Sequence, residues 1–201
     1  MHDMSLHIMD LIENSLCAKA TIVAICVHID ETADLLQVCV EDNGEGICVP
    51  PEQALSPFYT TRKAKRVGFG LSFLKDAAET AGGALSLSRS EGLRGISVMA
   101  RMQLSHINRP PLGDLAATIS AMILMHPDVD FRLNIRAGRQ GRAFQLTEYA
   151  KSRGLDRNAN VELASSAFAA LRSELEPWQK CERISWMGKR RTEPMTWPGN
   201  R

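Results

Sequence analysis

The chain has 201 residues, is 44% hydrophobic and carries a net charge of +1, which is enough apolar material for a buried core and too little charge to support general nucleic-acid binding. Its N-terminus, with Asp3, Asp10 and Glu13 among apolar residues, does not read as a signal peptide, and no uncharged run reaches membrane-spanning length. The five cysteines (Cys17, Cys26, Cys39, Cys48 and Cys181) form no CxxC pair and lie in or beside apolar segments, as expected of reduced, buried thiols in a soluble, cytoplasmic protein.

In chain order, residues 4 to 19 read as a helix with Ser5 as N-cap and Ile8, Leu11, Ile12 and Leu16 as an apolar stripe. Asp10 and Asn14 lie opposite that stripe, four residues and therefore one turn apart, so their side chains project together. A carboxylate and an amide oxygen are hard ligands suited to Mg²⁺, although such a pair is also the ordinary wet face of a helix. His7 has no second histidine or cysteine at ligand spacing, which argues against zinc.

Strands follow at about 21 to 29 and 35 to 41, both rich in β-branched and apolar residues. The second runs into Glu41-Asp42-Asn43-Gly44-Glu45-Gly46. A carboxylate at a strand end can accept hydrogen bonds from an amino-bearing partner such as the exocyclic amine of adenine, and Gly44 and Gly46 allow a tight turn with close backbone approach. Asp-Asn-Gly is also common hairpin chemistry. Further on, Arg62, Lys63, Lys65 and Arg66 lead into Gly68-Phe69-Gly70-Leu71 at the start of a helix over 69 to 82. Free backbone N–H groups and the helix dipole favour an anion there, and a solvated basic loop is the alternative.

Beyond Met102, Asn108-Arg109-Pro110-Pro111 reads as a linker, Leu112 to Met125 as an apolar helix, and Asp130 to Ile135 and Arg142 to Leu146 as short strands about a glycine turn. Thr147 stands where it could cap a short helix, and Val161 to Leu175 is amphipathic. The expected organisation is a first domain over 1–103, a small α/β appendage over 104–176, and a disordered tail over 177–201. That tail holds Trp178, Trp186 and Trp197 with six Lys/Arg against two Glu.

Asp10-Leu11-Ile12-Glu13-Asn14-Ser15-Leu16, then Asp42-Asn43-Gly44-Glu45-Gly46, then Pro57-Phe58-Tyr59-Thr60-Thr61-Arg62-Lys63, then Gly68-Phe69-Gly70-Leu71 resemble in order the N, G1, F and G2 boxes of the GHKL superfamily. These are the ATP-binding domains of gyrase, Hsp-type chaperones, sensor histidine kinases and MutL. Glu13-Asn14-Ser15-Leu16 is similar to MutL, and Pro57-Phe58-Tyr59-Thr60-Thr61 to histidine kinases. The resemblance covers residues 4 to 103, ending in Gly92-Leu93-Arg94-Gly95-Ile96-Ser97-Val98, where Leu93 replaces the first glycine of the last box.

The resemblance implies an α+β fold of Bergerat type, a mixed, mainly antiparallel sheet with helices on one face, binding ATP with Mg²⁺. It makes Asn14 the Mg²⁺ ligand, Asp42 the adenine reader, and Gly44 and Gly46 the turn around the base. Gly68, Gly70 and Leu71 would close over the phosphates, with Thr61, Arg62 and Lys63 as lid contacts. Asp10 occupies the catalytic position, where MutL-like ATPases carry glutamate and histidine kinases asparagine. No hairpin bearing a phosphoacceptor histidine stands ahead of the N box, so the resemblance favours a kinase or slow ATPase acting in trans on a protein partner, in signalling or as an anti-sigma-like regulator. A MutL-like conformational ATPase and a nucleotide-binding module without turnover are the alternatives, and a homodimer is compatible with each.

Overall fold

The computed structural model describes residues 3–46, 53, 69–138, 140–156 and 160–186, with side chains as far as Leu175 apart from that of Phe69. Helix α1 (Met4–Cys17) leads into an antiparallel pair, β1 (Ile22–Asp30) and β2 (Leu35–Asp42). Helix α2 (Phe69–Thr80), β3 (Ala84–Arg89) and β4 (Ile96–Gln103) follow, then α3 (Leu115–Met125), β5 (Asp130–Ala137), β6 (Gln140–Gln145), α4 (Leu146–Arg153) and α5 (Asn160–Trp186). One six-stranded sheet runs in the order β3-β4-β2-β1-β5-β6, antiparallel except where β1 pairs in parallel with β5. This is the expected α+β architecture, a mixed and mainly antiparallel sheet.

Alternation along the strands makes one face apolar and the other polar. Val23, Ile25, Val27 and Ile29 of β1, Leu36, Val38 and Val40 of β2, and Phe131, Leu133 and Ile135 of β5 form the core with Ile8, Leu11 and Ile12 of α1, Leu74 and Ala78 of α2, Ile119 and Ile123 of α3, and Ala167 and Leu171 of α5. The opposite face carries Cys26, His28, Gln37, Glu41, Arg101 and Arg136.

The C-terminal α/β residues, expected as a unit packed against the first domain, are joined to it through the sheet itself. Ile22 to Ile29 pair residue by residue with Asp130 to Ala137. The Asn108–Pro111 segment is correspondingly tied down: Arg109 is buried, donating from Nε to the Leu104 carbonyl at 2.7 Å and from a terminal nitrogen to the Pro110 carbonyl at 3.0 Å. The Met4 N–H donates to the Pro111 carbonyl at 2.8 Å.

Four local expectations are corrected. The cap of α1 is Asp3, which accepts from the Leu6 N–H at 3.1 Å, while Ser5 lies buried inside the helix and donates to the Asp3 carboxylate at 2.7 Å. Thr147 does not cap α4; its hydroxyl and N–H both go to Asp130 Oδ1, at 2.7 and 3.0 Å. Among the described cysteines, Cys17 and Cys26 are exposed and Cys39 is buried, because Cys17 closes a helix and Cys26 points to the polar face of the sheet. Helix α5 continues to Trp186, so residues 177–186 extend a helix where a disordered tail was expected. The side chains of Cys48 and Cys181 lie outside the described residues.

Candidate functional site

Asp42 is the last residue of β2 and, by strand alternation, points to the helix-covered side, where it is buried. Its Oδ2 accepts from the Ser15 hydroxyl at 2.7 Å, and its Oδ1 accepts from the Gly44 N–H at 2.9 Å and the Ile96 N–H at 3.2 Å. A carboxylate has about four acceptor positions, so these three donors hold it in one orientation and leave capacity for a further donor. The Ser15 hydroxyl also lies 3.2 Å from the Leu11 carbonyl. With a single proton to give, the shorter contact to a charged acceptor dominates.

The glycines around this carboxylate have steric reasons. A Cβ on Gly95 would overlap the side chain and carbonyl of Asp42, and one on Gly44 would stand 2.7 Å from the Ala18 carbonyl oxygen. Gly46 sits at φ +83°, in the left-handed region. The turn is anchored to the end of α1 by the Glu45 N–H donating to the Ala18 carbonyl at 2.8 Å. Asn43 faces the other way: its Oδ1 accepts from the N–H groups of Thr21 and Ile22, both at 2.8 Å, capping the start of β1.

On α1, Asn14 is exposed and Asp10, one turn earlier, is half-buried. Asp10 is where α1 meets the first turn of α2: a Cβ on Gly70 would stand 3.2 Å from Asp10 Cβ and 3.5 Å from its Oδ2. The absence of a side chain at Gly70 therefore lets the opening of α2 lie directly against the Asp10 carboxylate. Leu71 turns inward and packs on the core. The described part of the site thus joins the end of β2, the solvent side of α1 and the start of α2. Thr61, Arg62, Lys63 and Gly68 lie outside the described residues.

Three contributors were not singled out from the sequence: Ser15, Gly95 and Ile96. Ser15 had a legible signal, since it falls on the buried stripe of α1 after Leu11 and Ile12, where a lone hydroxyl needs a partner. Gly95 and Ile96 stand in the last glycine box of the resemblance, but that run by itself gives them no partner; they reach Asp42 because β4 pairs with β2.

A mixed sheet with helices on one face, a carboxylate at a central strand end, and a helix carrying an Asp/Asn pair against a glycine-opened helix make up an α/β sandwich of Bergerat type. The family described as Histidine kinase-, DNA gyrase B-, and HSP90-like ATPase matches residues 3–106, and the chain belongs to it. That membership makes an adenine nucleotide the ligand. Among solved structures, the chain is similar to the N-terminal domain of a DNA repair protein, with 15% identity and a TM-score of 0.47, covering 73% of this chain and 52% of that one. It is also similar to the Aquifex aeolicus MutL ATPase domain complexed with ADP, with 18% identity and a TM-score of 0.40, covering 83% of this chain and 70% of that one. The chain therefore spans about half the length of the first of these structures. No curated protein matches it. Among the described residues, no helix is long and apolar enough to cross a membrane.

Proposed function

We propose that the protein is a Mg-ATP-dependent regulator, a kinase or slow ATPase that acts in trans on a protein partner. The observation that carries this reading is the placement of Asp10, a carboxylate one turn from Asn14 and in contact range of the opening of α2 at Gly70. The donor set suits the ligand: Asp42 is held by three donors with acceptor capacity left for an exocyclic amine, and Asn14 offers a hard amide oxygen at the solvent surface.

In this reading Asp42 and the Gly44–Gly46 turn bind and orient the base. Asn14 would hold Mg²⁺ from the helix face, and the N-terminus of α2 at Gly70 would favour the phosphates. When bound, ATP would supply the γ-phosphoryl group and leave as ADP, and Mg²⁺ would neutralise part of the phosphate charge. Asp10 Oδ2 orients the acceptor hydroxyl and takes up its proton. An aspartate is one methylene shorter than the glutamate of MutL-like ATPases, which accords with slow turnover. The segment 177–201, with three tryptophans and an excess of basic residues, supplies residue types that anchor protein interfaces and a charge suited to an acidic partner.

The test is to incubate the chain with Mg²⁺ and γ-labelled ATP, with and without lysate proteins, alongside calorimetric binding of ATP. Label on a second protein supports the kinase reading and free phosphate the ATPase reading. Binding without either product overturns turnover and leaves a nucleotide-binding module.

A further inference from the structure

We propose that Glu41, on the opposite face of the sheet from the candidate site, is a positioning residue for Asp42, acting through Ser90 and the β3–β4 turn. The inference rests on the assignment of Asp42 to the adenine base and adds to it a control point behind the sheet.

Neighbouring residues on a strand point to opposite faces, so Asp42 enters the helix-covered side and Glu41 the polar side. Glu41 is directly opposite Ser97 on β4. Its carboxylate gathers three donors from two strands and a turn. Oε2 accepts from the Ser90 hydroxyl at 3.0 Å, and Oε1 accepts from the Ser97 hydroxyl at 3.2 Å and from the Cys39 thiol at 3.7 Å. Ser90 is buried, at 4% exposure, and its hydroxyl oxygen also accepts from the Leu93 N–H at 3.0 Å.

The same residue closes the turn through its backbone. The Ser90 N–H donates to the Gly95 carbonyl and the Arg94 N–H donates to the Ser90 carbonyl, each at 3.0 Å. This closure has something to oppose, because Arg94 sits at φ +71°, a conformation that is unfavourable for a residue with a side chain. The far end of the turn then meets Asp42 twice. The Gly95 N–H donates to the Asp42 main-chain carbonyl at 3.0 Å, and the Ile96 N–H donates to Oδ1 at 3.2 Å. Gly95 is pressed so closely on Asp42 that no Cβ would fit.

Glu41 therefore grips Ser90 from behind while its neighbour Asp42 is gripped by Gly95 and Ile96 in front. The chain Glu41, Ser90, Gly95–Ile96, Asp42 is continuous in hydrogen bonds. If Glu41 is removed, Ser90 loses its charged acceptor. The turn then relaxes at Arg94, and the Ile96 N–H that orients Oδ1 moves away. The effect falls on the group that reads the exocyclic amine, so it should appear as lost discrimination between bases.

The experiment compares ATP with inosine triphosphate, which lacks that amine, on the full chain. Affinities and Tm are measured for wild type, Glu41→Ala, Glu41→Gln, Ser90→Ala, the Glu41→Ala/Ser90→Ala double variant and Asp42→Ala. The wild type should prefer ATP by about tenfold, the factor of one hydrogen bond to a charged group. Glu41→Ala and Ser90→Ala should each cut that preference to about threefold or less by weakening ATP alone. The double variant should be no worse than the poorer single, because both act through one contact. Glu41→Gln, which keeps an acceptor for Ser90, should recover part of the preference. Amide resonances of Gly95 and Ile96 should shift in Glu41→Ala.

Equal weakening of both nucleotides with a fall in Tm would mean a purely structural role and would overturn the proposal, as would an unchanged preference in both single variants while Asp42→Ala abolishes it. A wild type that does not distinguish the two nucleotides, or an Asp42→Ala protein that binds ATP normally, would instead overturn the base-reading assignment and the proposal with it. If Glu41→Ala does not fold, Ser90→Ala decides the matter by the same ratio.

Discussion

The Ser15 hydroxyl donates to Asp42 Oδ2 at 2.7 Å, linking the helix that carries Asn14 to the carboxylate at the end of β2. Both groups are buried, and the bond to a charged acceptor is worth about 1.5–3 kcal/mol of local order. Ser15→Ala should therefore weaken ATP binding several-fold without unfolding the protein. Asp42→Ala should weaken it at least about tenfold. Calorimetric titration of folded variants checks both, and unchanged affinity in Asp42→Ala would remove Asp42 from base reading.

Asp10 and Gly70 make a paired prediction. Asp10→Asn keeps the volume and removes the charge, so ATP binding should persist while turnover falls by about 10²-fold or more. Gly70→Ala places a methyl 3.2 Å from Asp10 Cβ, so α1 and α2 must part slightly and turnover should fall with it. Asn14→Ala should weaken only the Mg²⁺-dependent part of binding. Equal turnover in wild type and Asp10→Asn would take Asp10 out of the chemistry.

Gly95 tolerates no side chain, because an added Cβ would overlap both the carboxylate and the carbonyl of Asp42. Gly95→Ala must push the β3–β4 turn off β2, at a cost of about 1–3 kcal/mol or more. A fall in Tm on the order of 5 °C is expected, with loss of nucleotide affinity. Gly92→Ala, where nothing lies within 4 Å of the added atom, is the control and should change neither.

Burial pushes the Cys39 thiol from its ordinary value of 9.0 up to about 11, with Ser97 opposing and the nearby Glu41 charge adding to the rise. The folded state therefore keeps this proton where the unfolded chain releases it. The associated stability is intact below pH 9 and is lost as pH rises from about 9 to 11. Denaturant unfolding across that range should give a falling stability that is flatter in Cys39→Ala. Alkylation at pH 8 should reach the exposed Cys17 and Cys26 before Cys39.

Asp130 behaves in the opposite sense. Burial raises its carboxyl, but the Thr147 hydroxyl, Arg132 and the Thr147 N–H outweigh that and hold it below its ordinary 3.8. Its contribution is present above pH 3.8 and is lost as pH falls through the lower folded value. Asp130→Asn should destabilise the protein at pH 7, and the gap between variant and wild type should narrow in acid unfolding. A gap that is constant from pH 7 to pH 3 would show that the charge is not what Asp130 contributes.

What the sequence determined by itself is the local chemistry. The helix bearing Asp10 and Asn14, the strand ending in Asp42, and the glycines at 44, 46 and 70 are legible because helical spacing, β-branched runs and backbone freedom act over a few residues. Their order along the chain was enough to reach the family. Tertiary structure decided what those groups touch. Ser15 and Asp42 are 27 residues apart and Ile96 and Asp42 are 54 apart, and no local preference encodes either bond. The parallel pairing of β1 with β5 likewise turns an expected appendage into part of the sheet. A parallel pair needs a long crossover, here the segment through the buried Arg109 and α3, so the pairing is set by contacts far apart in the chain. Even the cap of α1 was settled this way: Asp3 and Ser5 both suit an N-cap by type, and the Met4 N–H bonded to the Pro111 carbonyl brings the chain in so that Asp3 takes the position.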